Sequence, residues 1–170
     1  MNTPSPALLG WRVALLALAA LAFAGCGSTP APRDYTPVAV RFHLESNSGD
    51  GTPVALPNSG LSLLLNSKPV LTEGDVVDVD LVQVDLGRCL YFQLTPAATR
   101  DFYRLSVSHQ GRRLVLLLDG IAMGARLVDG PITNGAVFIF IERPDEELPA
   151  LVANLKKSSV AMQREIARRP

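Results

Sequence analysis

The chain has 170 residues, of which 16 are basic and 16 acidic, so its formal net charge at pH 7 is zero. This balance argues against a nucleic-acid partner, because proteins that bind nucleic acids present a basic surface. The length suits one domain with a hydrophobic core. No apolar run reaches the roughly 20 residues that a membrane-spanning helix needs.

Residues 1–25 have the pattern of an export signal. Arg12 precedes an apolar run over 13–24, which has the length of a signal-peptide core. The sequence FAGC at 23–26 resembles the bacterial lipobox, which implies cleavage before Cys26 and acyl chains on its sulfur and new N-terminus. Two or three acyl chains anchor a protein stably to a membrane. The alternative is an ordinary secretory signal in which the cysteine is incidental.

The signal also predicts where the protein resides. Gly27, rather than an acidic residue, follows the cysteine, and by resemblance to known sorting patterns this favours the outer over the inner membrane. Residues 26–36 are expected to hold the lipidated cysteine and a flexible, Pro-rich tether. A single domain is expected over 37–158, with a helix end or frayed tail over 159–170. We therefore expect a lipid-anchored envelope protein that faces the periplasm.

Beyond the tether, the first half of the domain is rich in strand patterns. Apolar residues alternate over 38–43, and weaker extended segments are expected at 54–56 and 61–65. The segment 74–86 is also β-rich, but its apolar residues change from one face to the other. That change predicts a bulge, a strong twist or two short strands. A further strand is expected at 90–94.

A helix is predicted to follow Thr95, which suits the N-cap, with Pro96 at the first helical position and Gly111 at the end. A strand over 136–142 and a second helix from near Asp145 complete the pattern. One face of the first helix collects residues at helical spacing: Ala98, Phe102, Leu105 and His109. This order of strands and helices predicts an α+β fold, with a mostly antiparallel sheet and two helices packed on one face.

Between the two helices, Asp119-Gly120 separates two apolar runs and predicts a two-residue hairpin turn, since both turn positions need positive φ. The strand before it, 114–118, is apolar at every position. Val115 and Leu117 must therefore point away from the face that packs on the helices. Their side of the sheet is expected to be either covered by the N-terminal strands or offered to a partner.

From residue 71 onward, the chain resembles the head part of the first periplasmic domain of SecD, a subunit of the SecDF protein-export machinery. Three segments carry the resemblance: LTEGDV at 71–76, LTP at 94–96 followed by Phe102, and GRRLVLLLDG at 111–120. The resemblance covers about residues 71–155 and implies a SecDF head-like fold that contacts an emerging polypeptide. The family's transmembrane proton-coupling segments are not found, so we do not expect a proton-driven motor.

After the hairpin, the family has Ser-Ala-Pro where this chain has Gly124-Ala125-Arg126. Side chains as small as these either let a neighbouring element pack closely or leave room for an incoming backbone. On the second alternative, six residues are the expected partner-binding site: Val115, Leu117, Met123, Gly124, Ala125 and Arg126.

No catalytic motif with the proper spacing occurs in the sequence. His43 and His109 are expected to be structural, since a hydrolase would need one of them beside an activated Ser or Asp. Cys89 is expected to be a buried small hydrophobe. One acidic cluster lacks the regular order of a calcium loop: Asp75, Asp78, Asp80 and Asp85. We expect no enzyme activity, no cofactor and no metal site.

Two functions from different classes remain open. The first is a non-catalytic envelope lipoprotein with a stand-alone SecD head-like domain, which binds another envelope protein or an extended polypeptide and is linked to protein export. The second is a lipoprotein that reuses the fold to bind a small ligand or a cell-wall component. The second function predicts a closed, concave pocket.

Overall fold

This computed structural model describes residues 34–168, which contain nine β-strands and two α-helices. A 3-10 turn at Glu73–Asp75 joins the fourth strand to the fifth. In chain order the elements are β1 (Val40–Leu44), β2 (Thr52–Ala55), β3 (Ser62–Leu65), β4 (Leu71–Thr72), β5 (Val76–Val84), β6 (Gly87–Leu94), α1 (Pro96–Ser108), β7 (Arg113–Leu118), β8 (Ile121–Leu127), β9 (Ala136–Ile139) and α2 (Leu148–Arg168). The predicted signal peptide, Cys26 and most of the predicted tether lie outside the described residues.

The strands form three separate sheets. The largest has four strands in the order β4-β1-β7-β8, the second has the order β5-β6-β9, and the β2–β3 hairpin forms the third. Each of these strand pairs is antiparallel. The predicted α+β class, with antiparallel strands and two helices, is confirmed. Neither helix of the described region is long and apolar enough to cross a membrane.

The main core lies between the two larger sheets. Phe42 of β1 and Phe92 of β6 meet edge to face, with ring centroids 5.1 Å apart and planes at 89°. Both rings are completely buried, and burial of such a side chain stabilises the fold by about 1.5–3 kcal/mol. Both sheets and both helices supply further core residues, among them Val79, Leu90, Phe102, Leu114, Leu116, Val152 and Leu155. This aromatic pair therefore joins the two sheets.

Strand β7 is apolar at successive positions because both of its faces are buried. Leu114 and Leu116 face the main core, whereas Val115 packs with Leu63 and Leu65 of the β2–β3 hairpin in a second, smaller cluster. The hairpin therefore covers the side of the sheet that points away from the main core. Of the two alternatives that the sequence leaves open for this side, the structure shows coverage by the N-terminal strands.

The predicted turn between β7 and β8 is present at Asp119-Gly120. These residues have φ values of 50° and 84°, which lie in the left-handed region that a two-residue hairpin turn requires. The Asp119 carboxylate also accepts a hydrogen bond from the Ala39 amide at 2.8 Å, and the Asp119 amide donates to the Ala39 carbonyl at 3.0 Å. The turn is thereby fastened to the residue that precedes β1.

Helix α1 begins as predicted, because the Thr95 hydroxyl accepts a hydrogen bond from the Ala98 amide at 3.2 Å. Its buried face contains one residue that the apolar pattern misses, Ser106. The Ser106 hydroxyl donates to the Tyr103 carbonyl at 2.8 Å and accepts from the Ile132 amide at 2.9 Å. Two partners make this burial acceptable, since an unsatisfied buried hydroxyl costs about 1–3 kcal/mol.

The apolar pattern predicts that β5 changes face after Leu81, but its pairing with β6 is regular there and the bulge lies at the beginning of the strand. The register with β6 shifts between Val76 and Asp78, so Val77 turns outward and is 37% exposed. Val79 and Leu81 share the inward face, but Val77 does not join them as the alternation predicts. The nine residues form one strand rather than two.

Helix α2 begins at Leu148, three residues later than predicted. Residues 145–147 form a turn that precedes it. It then continues to Arg168, which agrees with the helix end, one of the two alternatives expected for 159–170. Ser159 is buried, and the Gln163 amide donates to the carbonyls of Gly74 and Val76 at 3.0 Å each. These contacts hold the last turns of the helix against the start of β5.

We expect Phe42→Ala to lower the free energy of unfolding by about 3–5 kcal/mol, because it removes a buried ring and its edge-to-face partner contact. Urea denaturation followed by circular dichroism measures this loss. Phe138→Ala is the matched control, since that ring is partly exposed, and it should cost less than about 1 kcal/mol. Equal losses for the two variants would contradict the location of the core.

Candidate functional site

The structure places most of the six predicted partner-binding residues inside the domain. Val115, Met123 and Gly124 are buried, and Leu117 and Ala125 lie partly buried against the β2–β3 hairpin. The three buried residues cannot touch a partner in this conformation, because the hairpin and the main core enclose them. Partner contact by the other three, including Arg126, stays a prediction.

A bulge in β8 accounts for the burial of consecutive residues in that strand. Gly124 pairs with Leu116 and Ala122 pairs with Leu117, which leaves Met123 as an extra residue between them. The Met123 side chain enters the main core, while Ala122 belongs to the small cluster under the hairpin. The bulge thus lets two neighbouring side chains enter different cores.

Close internal packing leaves no room for a side chain at Gly124. A Cβ atom at this position would collide with the carbonyl oxygen of Phe140 and lie 3.3 Å from the Ile141 Cα. The next residue, Glu142, donates its amide to the Met123 carbonyl at 2.7 Å. The segment 140–142 therefore runs directly against the bulge, and of the two interpretations of Gly124, close packing is the one observed.

Arg126 caps a sheet edge. Among the described strands, β9 pairs with β6 alone, and an Arg126 guanidinium nitrogen donates to the Phe138 carbonyl of β9 at 3.2 Å. A second nitrogen lies 4.0 Å from an Asp129 carboxylate oxygen.

The nearby Cys89 is buried as predicted. Burial raises the pKa of its thiol, and the Arg126 charge lowers that pKa by less. The thiol is therefore held in its neutral, less reactive form.

A surface feature that sequence reasoning missed is a strip of aromatic side chains on the outward side of the β5-β6-β9 sheet. We call it the aromatic strip, and its residues are Tyr91, Phe138 and Phe140. The Tyr91 and Phe138 rings have centroids 5.1 Å apart, and Phe138 and Phe140 are 38% and 41% exposed. Exposed neighbouring aromatic rings are typical of binding surfaces.

The strip has a sequence signal, since the residues of AVFIFIE at 136–142 alternate in direction along an extended segment. Both alternating sets are apolar, so the pattern alone does not say which set faces outward. In the structure, Val137 and Ile139 enter the core and the phenylalanines do not. The smaller side chains are thus buried and the larger ones exposed.

Glu142 fastens the tip of the β2–β3 hairpin. Its carboxylate accepts hydrogen bonds from the Asn58 and Ser59 amides at 2.6 and 3.0 Å. Hydrogen bonding by the Ser59 side chain lowers the pKa of Glu142; burial opposes this, and the two amides add to it. The contact therefore stabilises the closed hairpin above the usual carboxyl pKa and loses this effect as the pH falls through the lowered pKa.

Both histidines make local hydrogen bonds. His43 Nδ1 lies 2.8 Å from the Asn66 carbonyl oxygen, and His109 Nδ1 lies 3.0 Å from that of Leu105. The Ser108 hydroxyl lies 2.9 Å from His109 Nδ1, but it also reaches the Leu105 carbonyl at the end of α1. These are the bonds of a helix end rather than of an activated nucleophile.

The acidic cluster of the sequence is dispersed in space. Asp75 accepts from the Thr72 amide at 2.8 Å, and Asp80 pairs with Lys156 at 3.3 Å. Asp78 accepts from the amide of the residue that follows it. Within residues 34–168, no group of three or more His, Cys, Asp or Glu side chains is arranged to hold a metal ion.

Comparison with solved structures identifies the fold. The chain is similar to SecDF in its super-membrane-facing form, with 24% identity over 72% of this chain and a TM-score of 0.58. A second SecDF structure, of a membrane component that enhances protein export, gives 19% identity over 78% of this chain and a TM-score of 0.58. SecDF from Thermus thermophilus, a translocon-associated membrane protein, gives 21% identity over 74% of this chain and a TM-score of 0.50.

The shares of those proteins that the chain covers differ widely. It spans 19% and 20% of the first and third SecDF chains and 73% of the second. No family model matches the sequence, and no curated protein does. The predicted resemblance to SecDF is therefore confirmed for the fold, and identities this low extend it no further.

We expect Gly124→Ala to lower the free energy of unfolding by about 1–3 kcal/mol or more, because the added methyl group must displace the Phe140 carbonyl. Thermal unfolding followed by circular dichroism measures the change. Gly130→Ala is the control, since a Cβ there meets no atom within 4 Å. If the two variants are equally stable, the inference that Gly124 packs against the Phe140 carbonyl is wrong.

Proposed function

We propose that this protein is a non-catalytic envelope lipoprotein whose SecD head-like domain binds extended polypeptide, in support of protein export. The observation that carries the proposal is the aromatic strip, which is an exposed apolar surface. The domain that presents it has a fold similar to that of SecDF, a membrane component that enhances protein export. Binding by this strip is sequence-tolerant, since aromatic rings contact any apolar side chain.

The spacing of the strip suits an extended ligand. Phe138 and Phe140 are two residues apart, which in a strand is about 6.8 Å along the chain. A polypeptide in an extended conformation presents every second side chain at the same interval. A segment that lies along β9 can therefore place successive apolar side chains against successive rings.

Side-chain contact is favoured over strand addition, because parts of three strands that could pair with a ligand are obstructed. Arg126 occupies the Phe138 carbonyl at the edge of β9, and Gln163 occupies the carbonyls of Gly74 and Val76 at the start of β5. Strand β2 carries Pro53, which lacks an amide proton. Each device blocks main-chain pairing with another strand.

The anchoring part of the proposal rests on the sequence around Cys26. A lipidated cysteine with a flexible tether would keep the domain close to the membrane while leaving the aromatic strip accessible. Gly27 after that cysteine favours the outer membrane, with the domain facing the periplasm. The membrane and a polypeptide or another envelope protein are then the two partners.

We expect the full chain, expressed in a bacterium fed an alkyne-labelled fatty acid, to carry the label on Cys26. Click chemistry followed by gel fluorescence detects it. Cys26→Ser should lose the label and remain unprocessed, because the thioether and the new N-terminus both depend on this residue. Cys89→Ala is the control and should keep the label. Label that persists in Cys26→Ser would exclude lipidation at this site.

We expect the double variant Phe138→Ser/Phe140→Ser to bind a permanently unfolded polypeptide at least about tenfold more weakly, the loss that about 1.4 kcal/mol of contact produces. Reduced, carboxymethylated lactalbumin with a fluorescent label is the probe, and anisotropy is the measurement. Native lactalbumin should not bind, because its apolar side chains are buried.

The matched control is Ile121→Ser/Leu127→Ser, which removes two exposed apolar side chains from the ends of β8. It should leave the affinity within about twofold, since these side chains are not part of the strip. Circular dichroism confirms that both variants fold. The proposal fails if the wild-type chain does not bind the probe, or if both double variants lose affinity equally.

A further inference from the structure

The β2–β3 hairpin is attached to the rest of the domain at its base and at its tip. At the base, the Ser46 amide donates to the Leu64 carbonyl at 2.7 Å, and the Asn66 amide donates to the Leu44 carbonyl at 2.9 Å. At the tip, the Glu142 carboxylate accepts from the Asn58 and Ser59 amides, and the Glu142 carbonyl accepts from the Asn58 side-chain amide at 3.4 Å. The hairpin is therefore held at two places rather than along a continuous ladder.

The side chains beneath the hairpin form a cluster of their own. Leu56, Leu63 and Leu65 cover Val115 and Ala122, and none of the hairpin residues belongs to the main core. Three of the four residues of β2 are exposed. A segment with a small separate core and few anchoring bonds opens locally at a lower free energy than the whole domain. Opening would leave the Phe42–Phe92 core intact.

The contacts under the hairpin also show what fits the covered face. Leu63 and Leu65 are two residues apart on an extended strand, and both are almost fully buried. They lie on small or branched side chains of β7 and β8: Val115, Leu117, Ala122 and Ala125. Such a face accepts an extended segment with leucine-sized side chains at alternate positions.

We propose that the β2–β3 hairpin is a flap latched by Glu142, and that β3 is the resident occupant of a face that binds an extended polypeptide segment with apolar side chains two residues apart. This inference rests on the proposed function for the class of ligand, but it assigns a different surface from the aromatic strip. Because only molecules with an open flap can bind, the apparent affinity of that face is its intrinsic affinity multiplied by the open fraction.

Opening can be measured with a thiol beneath the flap. The full chain carrying Cys26→Ser, Cys89→Ala and Ala122→Cys has its single thiol at a buried position of the covered face. Adding Glu142→Ala should raise the rate of labelling by a maleimide about fivefold or more, because it removes the carboxylate that accepts from the Asn58 and Ser59 amides. Glu142→Gln keeps an oxygen acceptor and should give a smaller increase.

A second chain separates flap opening from general unfolding. With Cys26→Ser alone, the only thiol is Cys89, which is buried outside the cluster under the hairpin. Its labelling rate should not change when Glu142→Ala is added. If both thiols become reactive together, or if neither does, the flap is not a separately opening unit and the inference is wrong.

The occupant is tested with a fluorescent peptide that repeats residues 60–67 and therefore contains β3. Fluorescence anisotropy should show that the Glu142→Ala chain binds it about fivefold or more tightly than the unaltered chain. The same peptide with Leu63→Ser and Leu65→Ser is the control and should not bind. Faster labelling without tighter peptide binding would overturn the assignment of the face.

The two proposals fail separately. The aromatic strip is tested with an unfolded protein and with changes at Phe138 and Phe140, neither of which forms part of the hairpin. Loss of binding there, with the hairpin results as expected, would remove the strip and keep the flap. The reverse pattern would remove the flap and keep the strip.

Discussion

The burial of β7 on both faces is the constraint on which the rest of the domain depends. A strand with apolar side chains at successive positions exposes an apolar patch unless both of its faces are covered. Leu114 and Leu116 require the main core on one side, and Val115 requires a cover on the other. The β2–β3 hairpin supplies that cover, so the domain has a third layer outside its two larger sheets.

Elements that depend on neighbouring residues were predictable from the sequence. The hairpin turn needs residues that adopt positive φ, and Asp119-Gly120 has them; the start of α1 needs a cap, and Thr95 provides it. The same reasoning could not decide what covers β7 or where Met123 would bulge, because both depend on segments distant in the chain. Close packing of Gly124 against Phe140 is another such long-range relation.

The candidate surface was hidden from sequence reasoning for a different reason. Along β9 both alternating sets of side chains are apolar, so the pattern alone does not decide which set is buried. The structure instead buries Val137 and Ile139 and leaves Phe138 and Phe140 partly exposed. Phe42 and Phe92 are the aromatic pair between the two sheets, whereas Phe138 and Phe140 lie on the other side of the β9 segment.

A shared fold does not by itself assign a function, so the functional argument must come from surfaces. Two strand edges carry side-chain caps, Arg126 on β9 and Gln163 at the start of β5. Such caps protect a strand edge from pairing with another chain. Together with the adjacent exposed rings, these caps favour, within the proposed function, a polypeptide held through its side chains rather than by strand pairing. Contacts of that kind are weak individually and tolerant of sequence, which allows the ligand to be released.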